Sequence, residues 1–337
     1  MLTPAADPGS VPAFMGRLLD FLAFLGRYGT QGFVAAIVLG LAVPQFAAAA
    51  RPLLAFCIFM FLVLTFARAD LAQVRRVVSR RGKLALALGW LVIAPPLLIG
   101  GAVTLIGREN LDPGLVLGLA LMGAAPPILS APAIAILLGF EPTLILSATV
   151  VTTLLAPLVS PYLVDLIAGA AVPLDPFALF LRLAILIGGA ILCAILLRFV
   201  AGPARLAARR HSLDGIGVVL YAVFAVAAMD GVTEAALQRP MVVAGFLAAV
   251  FGVSLVGLAA GMAALAPFAR GDRFTLAYAT GHRNIGVLIA ALGAHVPETT
   301  FLFFALAQFP IYLMPQILRP LAAAILARAD PTPAPRP

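Results

Sequence analysis

The sequence predicts an all-α polytopic membrane protein with ten transmembrane helices, arranged as two inverted repeats of five. Three observations support this fold class: the composition, the number of long apolar runs, and the alternation of basic residues between loops. Hydrophobic residues make up 63% of the 337 residues and charged residues 11%, and the mean hydropathy is +1.11. Soluble domains carry about 25% charged residues. The composition therefore excludes a soluble enzyme, a disordered chain and a coiled coil.

Ten apolar runs are long enough to be transmembrane helices, each of which needs about 20 mostly apolar residues. The predicted spans cover residues 32–47, 51–69, 84–106, 114–139, 143–167, 177–201, 213–229, 241–267, 275–296 and 300–326. They follow one another so closely that no soluble domain fits between them.

The basic residues predict the orientation of the chain, because cytoplasmic loops carry the excess of Arg and Lys. With the N-terminus inside, the inner segments hold 17 of the 22 basic residues and the outer segments hold four. The remaining one, Arg283, lies within a span. Both termini are therefore expected in the cytoplasm. The net charge of +8 then reflects topology, and no nucleic-acid partner is expected. The many Ala and Arg residues, with Lys83 the single lysine, suggest a bacterial inner membrane.

The predicted spans divide the chain into segments. Residues 1–31 are not a cleavable signal peptide, because Arg17, Asp20 and Arg27 interrupt their apolar run. They form either a short helix in the membrane interface or a disordered leader. The first repeat covers residues 32–167, an external linker residues 168–176, the second repeat residues 177–326, and a disordered tail residues 327–337.

Helix-breaking residues lie near the middle of the fourth and ninth spans. They are Pro126, Pro127 and Pro132 in the fourth span, and Gly281 and Gly286 in the ninth. Proline removes an amide donor, and glycine permits unwinding. Broken backbone at membrane depth is tolerated where it is buried in protein or lines a cavity. Paired breaks in corresponding helices are typical of the binding sites of secondary transporters. The simpler alternative is that Pro and Gly are common in membrane helices.

Arg283 is the residue most informative about function, because it lies near the middle of the ninth span and no Asp or Glu lies at mid-depth in any span. A charge at this depth is costly and needs a partner. Two interpretations are open. The guanidinium either binds backbone carbonyls permanently or binds an anionic substrate, which half-helix N-termini at the break would also favour.

Other polar residues in the spans are further candidates for the binding site. His282 either relays protons or makes ordinary hydrogen bonds, and each hydroxyl on the fifth span can bond to a carbonyl of its own helix. The candidate substrate-binding residues are Arg283, Asn284, His282, Ser130 and Gln308, and the fifth-span hydroxyls are those of Ser147, Thr149, Thr152 and Thr153.

Three segments carry a resemblance to a known family: FCIFMFLVLTFARADL in the second span, APPILSAPAIAILLGFEPTLILSATVVTTLLAPLVSP across the fourth and fifth, and AYATGHRNIGVLIAAL in the ninth. The chain resembles the bile acid:sodium symporter family. The resemblance implies two inverted five-helix repeats, with helices 4 and 9 unwound where they cross. It also implies a core of spans 3–5 and 8–10 against a panel of spans 1, 2, 6 and 7. Members of the family transport organic anions, often with sodium.

The sequence departs from the family at the sodium site. The family's acid falls on Ala279, its Gln on Arg283, and the Asn after Ser130 is replaced by Ala131. A third-span Gln of the family falls on Trp90. Sodium and other hard cations prefer oxygen ligands, carboxylates above all. We therefore expect Arg283 to take the place of the cation and the transporter not to be sodium-coupled. The remaining candidate ion ligands are Ser130, Thr152 and Thr153.

The function that these features predict is secondary transport of a small organic anion by alternating access. Transport would be facilitated, an exchange, or linked to protons through His282. The main alternative is a sodium-dependent organic anion symporter, and channels and non-transporting sensors are weaker ones. No enzyme activity is expected, because His211, His282 and His295 fall in separate regions. No metal or cofactor is expected, and Cys57 and Cys193 form no ligand pattern.

Overall fold

The protein is all-helical in the part described by the computed structural model, which covers residues 29–68, 81–169, 174–208 and 210–329. No strand forms within these ranges, apart from one isolated pair of bridged residues. The predicted interfacial segment and the predicted tail lie mostly outside the described residues.

Sixteen α-helices follow one another along the described chain. In order they are α1 (Gly29–Ala42), α2 (Pro44–Ala50), α3 (Leu54–Arg68), α4 (Arg81–Ile106), α5 (Pro113–Ala124), α6 (Ala131–Leu137), α7 (Thr143–Ala168), α8 (Pro176–Ala201), α9 (Pro203–Ala208), α10 (Arg210–Ala228), α11 (Val232–Gln238), α12 (Pro240–Ala264), α13 (Arg270–Gly281), α14 (Ile285–Leu292), α15 (Glu298–Ile317) and α16 (Arg319–Ala329). Short 3₁₀ turns lie at Arg51–Leu53, Arg108–Asn110 and Gly293–His295.

Seven helical segments in the described ranges are long and apolar enough to cross a membrane. They are Pro44–Arg68, Gly82–Ile106, Thr143–Ala168, Pro176–Ala201, Leu213–Gln238, Pro240–Ala264 and Glu298–Ile317. Their outward surfaces are apolar: Ile185 and Phe199 on α8 are 66% and 87% exposed. A helix that is apolar on its exposed face is suited to lipid rather than water. The prediction of a multi-pass α-helical membrane protein is confirmed.

Several predicted span boundaries are wrong, and proline explains two of them. The first predicted span, 32–47, is too long, because its helix ends at Ala42. Pro44 begins the next helical segment, which runs to Arg68. The tenth, 300–326, is divided at Leu318, with Pro320 in the first turn of α16. Proline is well tolerated in the first turn, where its missing amide has no partner to lose. The helix α16 also runs to Ala329, past the start of the predicted tail at residue 327.

Aspartates set the start of two helices that position the site. The Asp112 side chain accepts the amides of Gly114 and Leu115 at 2.8 and 3.1 Å at the start of α5. Asp175 does the same for Phe177 and Ala178 at the start of α8. Each aspartate is followed by a proline. An N-cap acid with proline at the first helical position is a favourable helix start.

The helices pack as two bundles. In the smaller bundle α10 packs against α1, α2 and α3, and α3 packs against α8. In the larger bundle α4, α5 and α7 pack on one another, α12 packs on α13 and α15, and α15 packs on α5. The bundles meet where α8 contacts α7 and where α14 contacts α3 and α8.

The helices α12 and α13 approach each other closely through small residues. A β-carbon added at Gly257 would lie 2.6 Å from the Cα of Gly281, and one added at Gly261 would lie 2.5 Å from the Cα of Ala277. These glycines form a GxxxG pattern on α12, which lets membrane helices approach closely. This contact positions α13, which leads directly into the site.

We predict that Gly257→Val destabilises the protein, because the added atoms would force α12 away from α13. Overpacking of this kind costs about 1–3 kcal/mol. Gly245→Val is the matched control on the same helix, since nothing lies within 4 Å of a β-carbon there. Thermal unfolding in detergent should show a lower Tm for Gly257→Val than for Gly245→Val, and equal values would contradict the packing argument.

Candidate functional site

Two helices of the larger bundle are interrupted inside the protein. The chain leaves the α-helical conformation between Ala124 and Ala131, and again between Gly281 and Ile285. Pro126 and Pro127 have no amide hydrogen and cannot continue the hydrogen-bond ladder of α5. The Ser160 hydroxyl on α7 donates to the freed carbonyl of Ala124 at 2.8 Å. This bond satisfies one of the acceptors at the end of α5.

The two interruptions cross and pair through their backbones. The amide of Ile128 donates to the carbonyl of His282 at 3.2 Å, and the amide of Asn284 donates to the carbonyl of Pro126 at 2.8 Å. Pro127 and Arg283 form an antiparallel bridge between these bonds. Backbone groups away from water must find partners within the protein. Each broken helix supplies the partners of the other, and we call this region the crossing.

The predicted helix-break residues have different roles. Pro126 and Pro127 lie within the first interruption, whereas Pro132 lies in the first turn of α6, a position that accepts proline. Gly281 is the last residue of α13, and a β-carbon there would lie 2.5 Å from the Ser254 carbonyl oxygen on α12. Gly286 lies in the first turn of α14. Gly281 is therefore required for helix packing as well as at the break.

Arg283 is 3% exposed and binds a carbonyl that a proline leaves free. In a regular helix the amide of residue 95 would donate to the carbonyl of Leu91, but Pro95 has no amide hydrogen. The Arg283 Nη2 donates to that carbonyl at 2.9 Å. The guanidinium therefore links the crossing to α4 of the same bundle.

The remaining contacts of Arg283 are also with backbone. Its Nη1 donates to the Ala279 carbonyl at 3.4 Å, near the C-terminus of α13, where the helix dipole favours positive charge. Its Nε is buried without a hydrogen-bond partner among the described residues. The ion pairs Arg51–Asp230 and Arg68–Asp214 do not involve it. Since a guanidinium has five donors, carbonyl binding leaves some of them for other partners.

A cavity separates the two bundles and ends at the crossing. Its wide compartment has a volume of about 490 Å³, and a deeper compartment adds about 50 Å³. The two compartments are continuous, because six residues line both of them. These residues are Phe61, Leu129, Ser130, Tyr221, Ile311 and Tyr312. Arg68 and Asp214 line the wide end, where their side chains pair at 2.8 Å and are 40% and 45% exposed. The cavity therefore opens toward the Arg68 end of α3.

Four of the five predicted substrate-binding residues line the deep compartment together: Arg283, Asn284, Ser130 and Gln308. Ser130 and Asn284 are partly exposed, whereas Gln308 is buried and donates from Nε2 to the Phe304 carbonyl at 3.0 Å. The chain separates Ser130 from Arg283 by more than a hundred residues, and the crossing brings them to one wall.

His282 is not among the residues that line the cavity. Its ring stacks on Tyr278 with centroids 3.9 Å apart, and its Nδ1 contacts the Tyr278 carbonyl at 2.8 Å. The Tyr278 hydroxyl donates to the Ile311 carbonyl at 3.1 Å, which lacks its helical partner because residue 315 is a proline. Through these contacts, His282 and Tyr278 contribute to the packing of α13 against α15.

The candidate ion ligands are on opposite sides of the crossing. Ser130 lines the cavity, whereas Thr152 lines a separate void of about 20 Å³ on the α7 side. The Thr152 and Thr153 hydroxyls donate at 2.7 Å to the carbonyls of Ala148 and Thr149 on their own helix. The structure therefore does not bring these three hydroxyls together.

Sequence reasoning missed several residues of the site. The aromatic side chains of Phe61, Tyr221 and Tyr312 line the cavity, and Arg68 lines its wide end. They had no signal in the sequence, because aromatic residues within spans and basic residues at span ends are both common. The Leu91 carbonyl did have a signal in the sequence. Pro95 has no amide hydrogen, so the carbonyl four residues before it lacks its helical donor.

Within the described residues, no group of three or more His, Cys, Asp or Glu side chains is placed to hold a metal ion. Comparisons with known proteins found no matching family model and no matching curated protein.

We predict that Arg283→Met destabilises the protein and that Pro95→Ala restores part of the loss. Leaving the buried Leu91 carbonyl without a donor costs about 1–3 kcal/mol. Alanine at position 95 supplies a backbone amide to that carbonyl. Pro96→Ala is the matched control, because its amide would serve the Val92 carbonyl instead. Thermal unfolding of the single and double variants measures the coupling. Equal rescue by both alanine substitutions would contradict the assignment.

Proposed function

We propose that the protein is a secondary transporter of a small organic anion that works by alternating access. The observation that carries the proposal is a cavity between two helix bundles that ends at two crossed, interrupted helices. Interrupted helices around a binding site are typical of secondary transporters. The cavity also widens toward one end of α3 only, as expected for one state of such a cycle.

The proposed architecture has ten spans. The seven long helices supply seven spans, α1 supplies one, and the interrupted pairs α5/α6 and α13/α14 supply two more. In this scheme the smaller bundle is the panel, the larger bundle is the core, and the chain is a divergent member of the bile acid:sodium symporter family with two inverted repeats. The position of the interruptions in the fourth and ninth spans supports this assignment.

The contacts of the charged residues support the proposed topology. Arg51 pairs with Asp230 at 2.7 Å, and the sequence predicts both outside. Arg68 pairs with Asp214, and the sequence predicts both inside. On this topology the protein lies in a bacterial inner membrane with cytoplasmic termini, and the cavity opens to the cytoplasm.

An anion suits the deep compartment better than a cation. Arg283 contributes a positive charge there, Ser130, Asn284 and Gln308 contribute hydrogen-bonding groups, and the described lining contains no carboxylate. A buried positive charge without a counter-ion favours a negatively charged guest. Phe61, Tyr221 and other apolar side chains surround the rest of the space, so an anion with an apolar body fits the lining.

The proposed carrier is not sodium-coupled. The Arg283 guanidinium already donates hydrogen bonds to the carbonyls of Leu91 on α4 and Ala279 on α13. The hydroxyls of Thr152 and Thr153 bond to their own helix. A hard cation would have no carboxylate at the crossing in the described chain. Facilitated flux, exchange and proton linkage through His282 remain the proposed alternatives.

We predict that carboxylates or sulfonates with an apolar body, such as cholate, raise the Tm of the purified protein. A ligand at a hundredfold excess over its Kd stabilises the native state by about 2.7 kcal/mol. Asn284→Ala and Gln308→Leu should reduce the shift. Gln238→Leu is the matched control, since Gln238 is exposed and bonds to Glu234 at the end of α11. Shifts that are equal in all variants would place the anion elsewhere.

We predict that uptake into proteoliposomes of the most stabilising anion is unchanged when sodium is replaced by potassium at fixed pH. The reason is that the guanidinium takes the place of the cation. Uptake by Arg283→Met should fall in both salts. Loss of uptake by the unaltered protein on the sodium-to-potassium exchange would favour the sodium symporter instead.

A further inference from the structure

Five aromatic rings form a continuous column from the cavity toward the Arg51 end of the protein. The Phe61 ring stacks on Tyr221 with centroids 4.2 Å apart and meets Phe224 edge-on at 5.7 Å. Phe224 contacts Phe304 at 6.1 Å, and Phe304 contacts Phe301 at 5.6 Å. We call these five residues the aromatic column. These separations lie in the range of favourable aromatic pairs.

The column ends at an arginine that contacts both bundles. The Arg51 guanidinium lies 4.2 Å from the centroid of the Phe301 ring, on the larger bundle. Its Nη1 also donates at 2.7 Å to the carboxylate of Asp230, in the turn that follows α10 of the smaller bundle. The Arg51 and Asp230 side chains are 40% and 17% exposed. This cation therefore holds Phe301 against the smaller bundle at the protein's edge.

The column lies between the cavity and that edge. Phe61, Tyr221, Phe224 and Phe304 line the deep compartment, while Phe301 is 5% exposed and lies nearer the start of α15. Arg51 lies in the 3₁₀ turn that leads into α3, and Arg68 is the last residue of α3. The cavity widens toward Arg68 and its wide compartment does not reach Phe224, Phe304 or Phe301, so these three rings of the column lie between the wide compartment and the Arg51 face.

The rings divide between the bundles. Phe61, Tyr221 and Phe224 belong to α3 and α10, whereas Phe301 and Phe304 belong to α15. A movement that separates the bundles at the Arg51 face must part Phe224 from Phe304 and Arg51 from Phe301. The contacts within each group and the Arg51–Asp230 pair can persist during this movement.

We propose that the aromatic column is the gate that closes the pathway at the Arg51 face, and that Arg51, fixed by Asp230, is its latch. The proposal rests on the alternating access put forward above, since it names the contacts that alternate. The cation–π contact and the partly exposed ion pair together hold the closed state. Together these two interactions favour the closed state over the open state by about tenfold.

The test measures access to the crossing from each face and needs no substrate. Ser130→Cys, at the deep end of the cavity, is introduced into a chain whose Cys57 and Cys193 are replaced by alanine. A membrane-impermeant methanethiosulfonate is applied to vesicles of both orientations. In this parent, reaction is expected from the Arg68 face only. Arg51→Gln should raise the rate from the Arg51 face by about tenfold, and Phe304→Ala should raise it as well.

Matched controls separate gating from general loosening. Arg239→Gln removes an exposed arginine of the same predicted face, and Phe177→Ala removes an aromatic ring 68% exposed on α8. Neither should change access. Arg51 is partly exposed, so its variant carries the test if Phe304→Ala fails to fold.

Three results would overturn the gate. They are an unchanged rate from the Arg51 face in folded Arg51→Gln, an equal rise in the controls, and a parent that reacts from both faces or from neither. Altered access in a protein that transports none of the anions tested would support the gate and count against the proposed function. If the protein transports an anion but access is unaltered in Arg51→Gln, the result would support the proposed function and count against the gate.

Discussion

The hydrogen bonds from the Arg283 guanidinium to backbone carbonyls are the constraint on which the site depends. A buried charge without partners is very unfavourable, and no carboxylate of the described chain reaches this one. The carbonyls of Leu91 and Ala279 take that role at 2.9 and 3.4 Å. The bond to Leu91 ties α4 to the crossing, while Ala279 belongs to the helix that leads into it. A residue that would otherwise destabilise the core therefore connects its parts.

The prolines within the helices create the acceptors that polar side chains then satisfy. Pro95 leaves the Leu91 carbonyl for Arg283, and Pro315 leaves the Ile311 carbonyl for the Tyr278 hydroxyl. At the end of α5, Ser160 donates to the Ala124 carbonyl, which lacks its helical partner because the amide of Ile128 donates to the His282 carbonyl. Backbone groups at membrane depth have no water to bind, so each interruption needs a donor from another helix. These bonds explain how the larger bundle remains ordered around two broken helices.

The two ends of the interface between the bundles differ in character. Toward Arg68 the interface is open, with partly exposed polar groups around a large cavity. Toward Arg51 it is filled by stacked rings and closed by a cation that contacts both bundles. This asymmetry distinguishes the two sides of the crossing and gives the proposed alternation of access a structural basis.

The sequence by itself determined the class of the protein, because apolar runs and basic loops depend only on local composition. It also located the interruptions, since proline and glycine act on their own segment of backbone, and it singled out Arg283 as a charge without a nearby acid. Ser130, Asn284 and Gln308 were recognised as candidate binding residues within spans, and the paired breaks predicted that Ser130 and Asn284 belong to one site.

Only the tertiary structure decided which carbonyls Arg283 binds, because Pro95 marks the Leu91 carbonyl as a free acceptor but does not indicate which donor reaches it. Only the tertiary structure excluded His282 from the cavity lining and separated Thr152 and Thr153 from Ser130. The reason is that helix rotation and the crossing, which join residues more than a hundred positions apart, set which face each side chain occupies. The aromatic column likewise depends on the packing of α3, α10 and α15, which no local pattern encodes.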